Sequence, residues 1–518
     1  MKHFIFTLLI SIISFQISAS DLVLIPTSNY EHTKELFSDS DITVHFYRNE
    51  FVVASTNKPL EKEHYILDTE PWQEDMSYYL VYTDKHVNKD EYLQIISSRS
   101  EVLHDGDFFL IVRTNEKQHG QLPPAKNDGM VRIFERESKL PVQKSFSYNV
   151  SSEPEQYILD LMAEVSSENV TSQVQHLEDY ITRNAYHQQS IEAQQWIKEQ
   201  FTAWGLEVEE MEFTMPEGAS SDNVIATLTG TEYPDEYVVL GGHYDSYSYD
   251  GDAPGADDNA SGTSGVMEIA RILSQHEFER SIIFCAFSGE EYGLYGSAAY
   301  AARSSDEEMN ILGYFNMDMI GYLEPGHTTY KSSLIYPASA QPLADFYTDI
   351  CEVYLPDFAV EPDSFTAGDS DHTSFNNNGY MGIFPFEDAD YYSPYIHTSD
   401  DLVGPSYNNE DQAVVFTQAV LASVVTLAKM EPPAVDITEI QDPEYSNVFP
   451  NPASDYISIN INSNTTTELI IKNIAGQIIV KRTISDGEKI NISSFPAGIY
   501  LFEINGDNFV ETHKVILQ

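Results

Sequence analysis

The 518-residue sequence predicts an α/β protein. Its centre reads as a mostly parallel, doubly wound sheet, with a small α+β region before it and a β-sandwich after it. Three observations carry this reading. Between residues 155 and 432, short apolar runs alternate with segments of helical periodicity, the pattern of strands joined by crossover helices. In the same stretch, ionisable residues gather where the apolar runs end, and open α/β sheets build their sites beyond the carboxyl ends of their strands. After a short acidic stretch, residues 446–518 change to brief β-type runs separated by turns.

The chain opens on Met1-Lys2-His3, followed by an apolar run from Phe4 to Phe15, with Ser18 and Ser20 standing as small residues before Asp21. Residues 1–20 are therefore read as a signal peptide; the run is short for a membrane span. Residues 21–150 read as an α+β prodomain or accessory domain. Strands are expected at Ile42–Tyr47, Phe51–Ala54, Tyr78–Tyr82 and Phe108–Val112, and a helix over Asp90–Ile96. No chemical motif falls in this region.

Residues 155–432 form the expected catalytic domain. Val174, Leu177 and Ile181 have helical spacing, and a second helix runs from Ser190 to Trp204, ending at Gly205 as a C-terminal cap. Strands follow at Tyr237–Leu240, Ile282–Phe287, Leu312–Met317 and Met381–Phe386. A helix after Asn259 carries Val266, Ile269, Ala270 and Leu273 on one face. Residues 433–445, opened by Pro432-Pro433, read as a linker, and 446–518 as the β-sandwich, with Ile478–Val480 and Ile499–Phe502 among its strands.

Composition narrows the function. Lys+Arg is 27 and Asp+Glu is 82, a net charge of −55, which excludes a nucleic-acid or anionic-membrane partner because both need a basic footprint. Of that charge, −41 falls within residues 155–432 and only −2 within 446–518. The two cysteines exclude a disulfide scaffold and a Cys-rich zinc site. Cys285, inside an apolar run, and Cys351 read as buried free thiols. Beyond the leader no apolar run is long enough for stable membrane insertion.

The chemistry-bearing residues cluster at strand ends. His243 and Asp245 follow the Tyr237–Leu240 run, Glu290 and Glu291 follow Ile282–Phe287, and Asp318 follows Leu312–Met317. Asp257 and Asp258 precede the helix that begins after Asn259, and His397 follows Met381–Phe386. Two histidines with several carboxylates and no thiolate suit zinc in a catalytic site. A carboxylate has two oxygens and can bridge two ions about 3.5–4 Å apart. A His-x-Asp step suits a ligand with its orienting carboxylate, and adjacent glutamates can divide metal binding from proton transfer.

In order, the motifs GGHYDS, PGADDNASG, FSGEEYGLYGS, NMDMIGY, SDHTSF and YIHTSDD resemble those of the co-catalytic zinc aminopeptidases, metallopeptidase family twenty-eight. The resemblance implies a zinc-exopeptidase fold with two zinc ions per catalytic domain. His243 and Asp318 would hold one ion, Glu291 and His397 the other, and Asp258 would bridge them. Glu290 would be the general base acting on a metal-bridged water, and Asp245 the partner that orients His243. Asp371 and His372, in SDHTSF, match the family's substrate loop and are not ligands by similarity.

The tail is similar to the sorting domain of type IX secretion, through Val448-Phe449-Pro450-Asn451-Pro452-Ala453, Asn473-Ile474-Ala475-Gly476, FPAGIYLFEI and KVILQ. Together the resemblances imply a secreted or surface-attached aminopeptidase, with peptides bearing a free N-terminus and the secretion machinery as partners. Two alternatives share the sequence: a glutaminyl cyclase on the same scaffold, and a catalytically inactive secreted binding protein.

Overall fold

The computed structural model describes residues 20–83, 89–117, 129–141, 150–363, 368–429, 446–461, 467–474, 476–506 and 510–518. The expected signal peptide and the 433–445 linker lie outside them. The chain divides into two compact units, Met1–Pro432 and Pro433–Gln518.

The first unit is built on an eight-stranded mixed sheet. Its order is Ala359–Asp363, Lys331–Ile335, Gly382–Phe386, Asn310–Asn316, Tyr233–His243, Arg280–Phe287, Ser220–Leu228 and Glu207–Thr214. The four central strands run parallel, and antiparallel pairs enter toward both margins. Arg280–Phe287 is buried along its whole length, as a strand covered on both faces must be. Its side chains alternate between two cores. Ile282, Phe284 and Ala286 join helices Ser167–Glu178, Gln188–Ala203, Gly262–Leu273 and Glu410–Ala428 on one face. Ile283, Cys285 and Phe287 join helices Tyr295–Asp306 and His372–Asn377 on the other. This is the doubly wound layering read from the sequence. Cys285 and Cys351 are both free and buried.

Helix Ser167–Glu178 begins at Ser166, whose hydroxyl accepts the Asn169 N–H at 3.2 Å. It ends before Ile181, which the apolar spacing had placed on its inner face. Ile181 is instead 57% exposed, with φ of 69°. The chain turns there to carry Arg183 into the interior. Gly205, with φ of 87°, does close the next helix. Glu410–Ala428 is long and apolar enough to cross a membrane, but most of it is buried against the sheet and its neighbours.

Preceding this sheet are two antiparallel four-stranded sheets. One has the order Ile42–Tyr47, Phe51–Thr56, Asp21–Pro26, Tyr65–Asp68; the other Glu101–Asp105, Phe109–Asn115, Met76–Tyr82, Met130–Ile133. The second unit packs a three-stranded sheet and a four-stranded sheet, both antiparallel, around one apolar core centred on Ile457, Leu469, Phe502 and Val515.

Candidate metal centre

Strand Tyr233–His243 delivers His243 at its carboxyl end, and the loops after the two neighbouring parallel strands deliver Glu290, Glu291 and Asp318. His243, Asp258, Glu290, Glu291, Asp318 and His397 are all less than 9% exposed. One ligating atom from each of His243, Glu290 and Asp318 lies within 4.8 Å of the others, and so do those of His243, Asp258 and Glu291.

Asp258 occupies the middle. Its Oδ1 is 3.4 Å from His243 Nε2 and its Oδ2 is 3.2 Å from His397 Nε2. His243 Nε2 also faces Asp318 Oδ1 at 3.5 Å and Glu290 Oε2 at 4.0 Å, while His397 Nε2 faces Glu291 Oε2 at 2.8 Å. Burial opposes charge on His243, but Asp318 and Glu290 outweigh it and hold the imidazole well above its ordinary range. Burial is likewise outweighed at His397, first by Glu291. For Asp258, burial is overcome by the two imidazoles, which hold the carboxyl below the usual range. Burial drives Glu290 well above the ordinary carboxylate range, and drives Glu291, with help from Asp258, up to about 7.

Asp245 orients His243 differently from the sequence expectation. His243 Nδ1 lies 3.1 Å from the main-chain oxygen of Asp245 and 3.6 Å from its carboxylate. A carbonyl oxygen only accepts, so Nδ1 carries a proton, and Nε2 is the ring atom turned toward the carboxylates. The Asp245 carboxylate accepts the Glu290 N–H at 3.3 Å instead.

Whether these groups suit a metal is answered by their unused atoms. Among the described residues, nothing hydrogen-bonds to the buried Glu291 Oε1 or Asp318 Oδ1. Buried carboxylate oxygens without donors need a cation, and two imidazoles with carboxylates and no thiolate are donors that zinc accepts.

Residues to which the sequence reading gave no role hold this arrangement. Asp401 Oδ1 accepts the Asp257 N–H at 2.9 Å and its Oδ2 accepts the Asp258 N–H at 3.0 Å. Arg183, fully buried, donates to the carbonyl oxygens of Leu177, Tyr244, Pro254 and Gly255, stitching the loop before Asp257 to the end of the His243 strand. Ser370 Oγ donates to Asp318 Oδ2 at 2.7 Å. The cavity over the cluster has an apolar wall that includes Met319, Phe384, Phe386, Tyr392 and Ile396, and Asp369 also lines it. Asp371 is fully buried, and burial pushes its carboxyl up to about 7. His372 is buried beside Phe384, and burial pushes its imidazole down to about 4.

The chain is similar to known proteins in two regions. Residues 223–422 match peptidase family M28, and residues 447–518 match the secretion system C-terminal sorting domain. A probable zinc metalloprotease of Pyrenophora teres f. teres is 33% identical over 195 residues, which cover 33% of this chain and 40% of that protein. The chain thus spans less than half the length of that relative. A probable leucine aminopeptidase of Trichophyton verrucosum is 28% identical over 284 residues, covering 51% of this chain and 73% of that protein. Among solved structures, LapB from Legionella pneumophila superposes with a TM-score of 0.56 at 23% identity, over 68% of this chain and all of its own, a likeness of fold. The tail is a type IX sorting domain, so the protein is exported, either secreted or held at the cell surface. The central part of the chain thus matches peptidase family M28, and its C-terminal part matches a secretion sorting domain.

Proposed function

We propose that the protein is a dinuclear zinc aminopeptidase, organised as a signal peptide (1–20), an N-terminal region (21–150), a catalytic domain (155–432), a linker (433–445) and a sorting domain (446–518). The observation that carries the reading is Asp258, whose two oxygens face two different imidazoles at 3.4 and 3.2 Å. In this reading His243 and Asp318 hold one ion, Glu291 and His397 the other, and Asp258 both. When bound, zinc supplies a Lewis acid that polarises a carbonyl and acidifies water.

The chain's own groups do the rest. Glu290 reaches the same cluster without being needed as a ligand, and its burial favours holding a proton. It takes the proton of the attacking water and returns it to the leaving amine. The Asp245 main-chain oxygen fixes the His243 tautomer, and Ser370 fixes Asp318 so that Oδ1 faces the cavity. The apolar wall selects apolar N-terminal side chains, and the peptides taken are those with a free N-terminus. Relatives named as a zinc metalloprotease and a leucine aminopeptidase support the reading. The sorting domain engages the type IX machinery.

The test uses purified protein with unblocked and N-blocked aminoacyl chromogenic substrates and an N-terminal glutamine peptide, with and without chelator. Chelator-sensitive release from unblocked substrates alone is expected. Glu290→Gln is expected to keep its zinc and lose at least about a hundredfold in kcat. Cleavage of blocked substrates, or cyclisation of glutamine alone, contradicts the proposal.

A further inference from the structure

The N-terminal region is fastened to the peptidase domain through shared cores. Leu294, which closely follows Glu290-Glu291, completes a cluster otherwise made by N-terminal residues such as Leu22, Phe51, Leu80 and Ile111. Tyr79, Val81, Leu110 and Met130 share another cluster with Phe213, Met215, Tyr292 and Tyr295. Tyr79 and Tyr295 hydroxyls meet at 2.6 Å, and Arg136 forms a two-pronged ion pair with Asp306.

One contact of this interface runs into the metal cluster. Arg48 Nη1 donates to Asp369 Oδ2 at 3.1 Å, and the Tyr82 hydroxyl donates to the same oxygen at 2.7 Å. Arg48 and Tyr82 are also hydrogen-bonded to each other. Tyr82 is fully buried and the Asp369 side chain is 4% exposed, so this is an interior ion pair. Asp369 Oδ1, in turn, accepts the Ser370 N–H at 3.1 Å and the Thr373 hydroxyl. Ser370 Oγ accepts from Asn316 at 2.8 Å and donates to Asp318 Oδ2 at 2.7 Å. Every link is a hydrogen bond between buried or half-buried groups. The path begins on Arg48, in the turn after strand Ile42–Tyr47, and on Tyr82, the last residue of strand Met76–Tyr82, and ends on a carboxylate of the cluster.

We propose that Arg48 and Tyr82 are positioning residues of the peptidase site, which act through Asp369 and Ser370 to fix the Asp318 carboxylate. The N-terminal region is then a permanent part of the working enzyme. The inference rests on the proposed zinc peptidase reading for Asp318, and its test separates the two.

Full-length protein carrying Tyr82→Phe, Arg48→Lys, Ser370→Ala, or Tyr82→Phe with Ser370→Ala is compared with the parent. Three quantities are read: zinc affinity by chelator competition, kcat and KM on an unblocked substrate, and Tm. Tyr82→Phe keeps the ring in its core and removes the hydroxyl that donates to Asp369 and accepts from Arg48. The expected result is a loss of roughly tenfold in zinc affinity, the scale found when a ligand's supporting hydrogen bond is removed. A fall in kcat exceeding any change in KM, and a Tm near the parent's, are also expected. Arg48→Lys, which keeps the charge, is expected to lose less. In the Ser370→Ala background the Tyr82→Phe change is expected to add little, because the path is already cut. Parental zinc affinity and kcat in Tyr82→Phe, or full additivity with Ser370→Ala, overturn the proposal. Zinc competition reads the relay even if the parent cleaves none of the substrates, an outcome that would count against the peptidase reading instead.

Discussion

At the residue scale, the cluster depends on groups that never touch its centre. Asp401 is 2% exposed and accepts the main-chain N–H groups of both Asp257 and Asp258, so it sets where the Asp258 carboxylate stands. Asp401→Asn keeps the shape but turns an NH₂ toward one of those N–H groups. Zinc affinity is expected to fall by about 10–100-fold, the range for partners that support a ligand. Chelator competition at parental affinity would show that Asp258 is held by other means. The pKa directions give a second prediction, for the metal-free protein. His243 and His397 sit well above 6.5 and Glu290 and Glu291 above 4.5. A raised value means the folded chain binds the proton more tightly than the unfolded one. The stabilisation is complete below the unfolded value and is lost as pH rises through the folded one. Metal-free protein should therefore lose stability as pH rises, through about 7 for Glu291 and above 6.5 for the two imidazoles. Zinc binding needs His243, His397 and Glu291 deprotonated and strengthens over the same rise. The gap in Tm between zinc-loaded and chelator-treated protein should widen with pH; a gap that narrows contradicts the ligand set.

The same scale shows what a sequence can reveal. His243, Asp258, Glu290, Glu291, Asp318 and His397 were legible because each stands in a short motif at a strand end or loop, and the structure brings all six together. Arg183, Ser370 and Asp401 were not given roles. Arg183 and Asp401 bond main-chain atoms, which any residue supplies, and Ser370 bonds a carboxylate 52 positions away. Arg183 did leave one trace: it is one of only seven basic residues between 155 and 432. Asp245 was legible as the neighbour of His243, but its carbonyl rather than its carboxylate makes the bond, a distinction side-chain identity does not encode.

At the element scale, the site is set by a close approach of three segments. Gly242 ends the His243 strand, Gly262 opens the Gly262–Leu273 helix, and both back onto the Met317 carbonyl oxygen, one residue before Asp318. A β-carbon at either position would collide with that oxygen. Asn259 fills the remaining space, donating to Met317 O at 3.0 Å and accepting the Gly262 N–H at 2.8 Å. Gly262→Ala is expected to destabilise the protein by about 1–3 kcal/mol, the usual cost of overpacking. Because it pushes Asp318 from Asp258, it should also weaken zinc binding. Urea unfolding with zinc competition checks both, and loss of stability with unchanged zinc affinity would show that the strain is absorbed elsewhere. The central parallel strands were legible from their apolar runs. The outer strand Glu207–Thr214 was not, because its half-exposed sequence EVEEMEFT carries four glutamates on a sheet margin and resembles solvated loop.

At the scale of the whole molecule, the charge is sorted by unit. The stretch 155–432 carries −41 and the tail 446–518 only −2, although both belong to one exported chain. The proposed site needs five carboxylates, so the remaining acids lie elsewhere, many of them exposed, and like charges at that density repel in the folded state. Salt screens this repulsion. The Debye length falls from about 30 Å at ~0.01 M to about 3 Å at ~1 M. The thermal transition of the Met1–Pro432 unit is therefore expected to move upward as sodium chloride is raised across that range. The sorting unit, almost neutral, should barely move, and it serves as an internal control in the same sample. Its insensitivity would separate screening of charge from the general strengthening of apolar burial by salt, which acts on both units. An equal rise in both transitions would assign the effect to apolar burial. A fall in the first would mean that the acidic surface is held together by ion pairs that salt weakens, such as Arg136–Asp306 and Arg303–Glu209, rather than strained by its own repulsion.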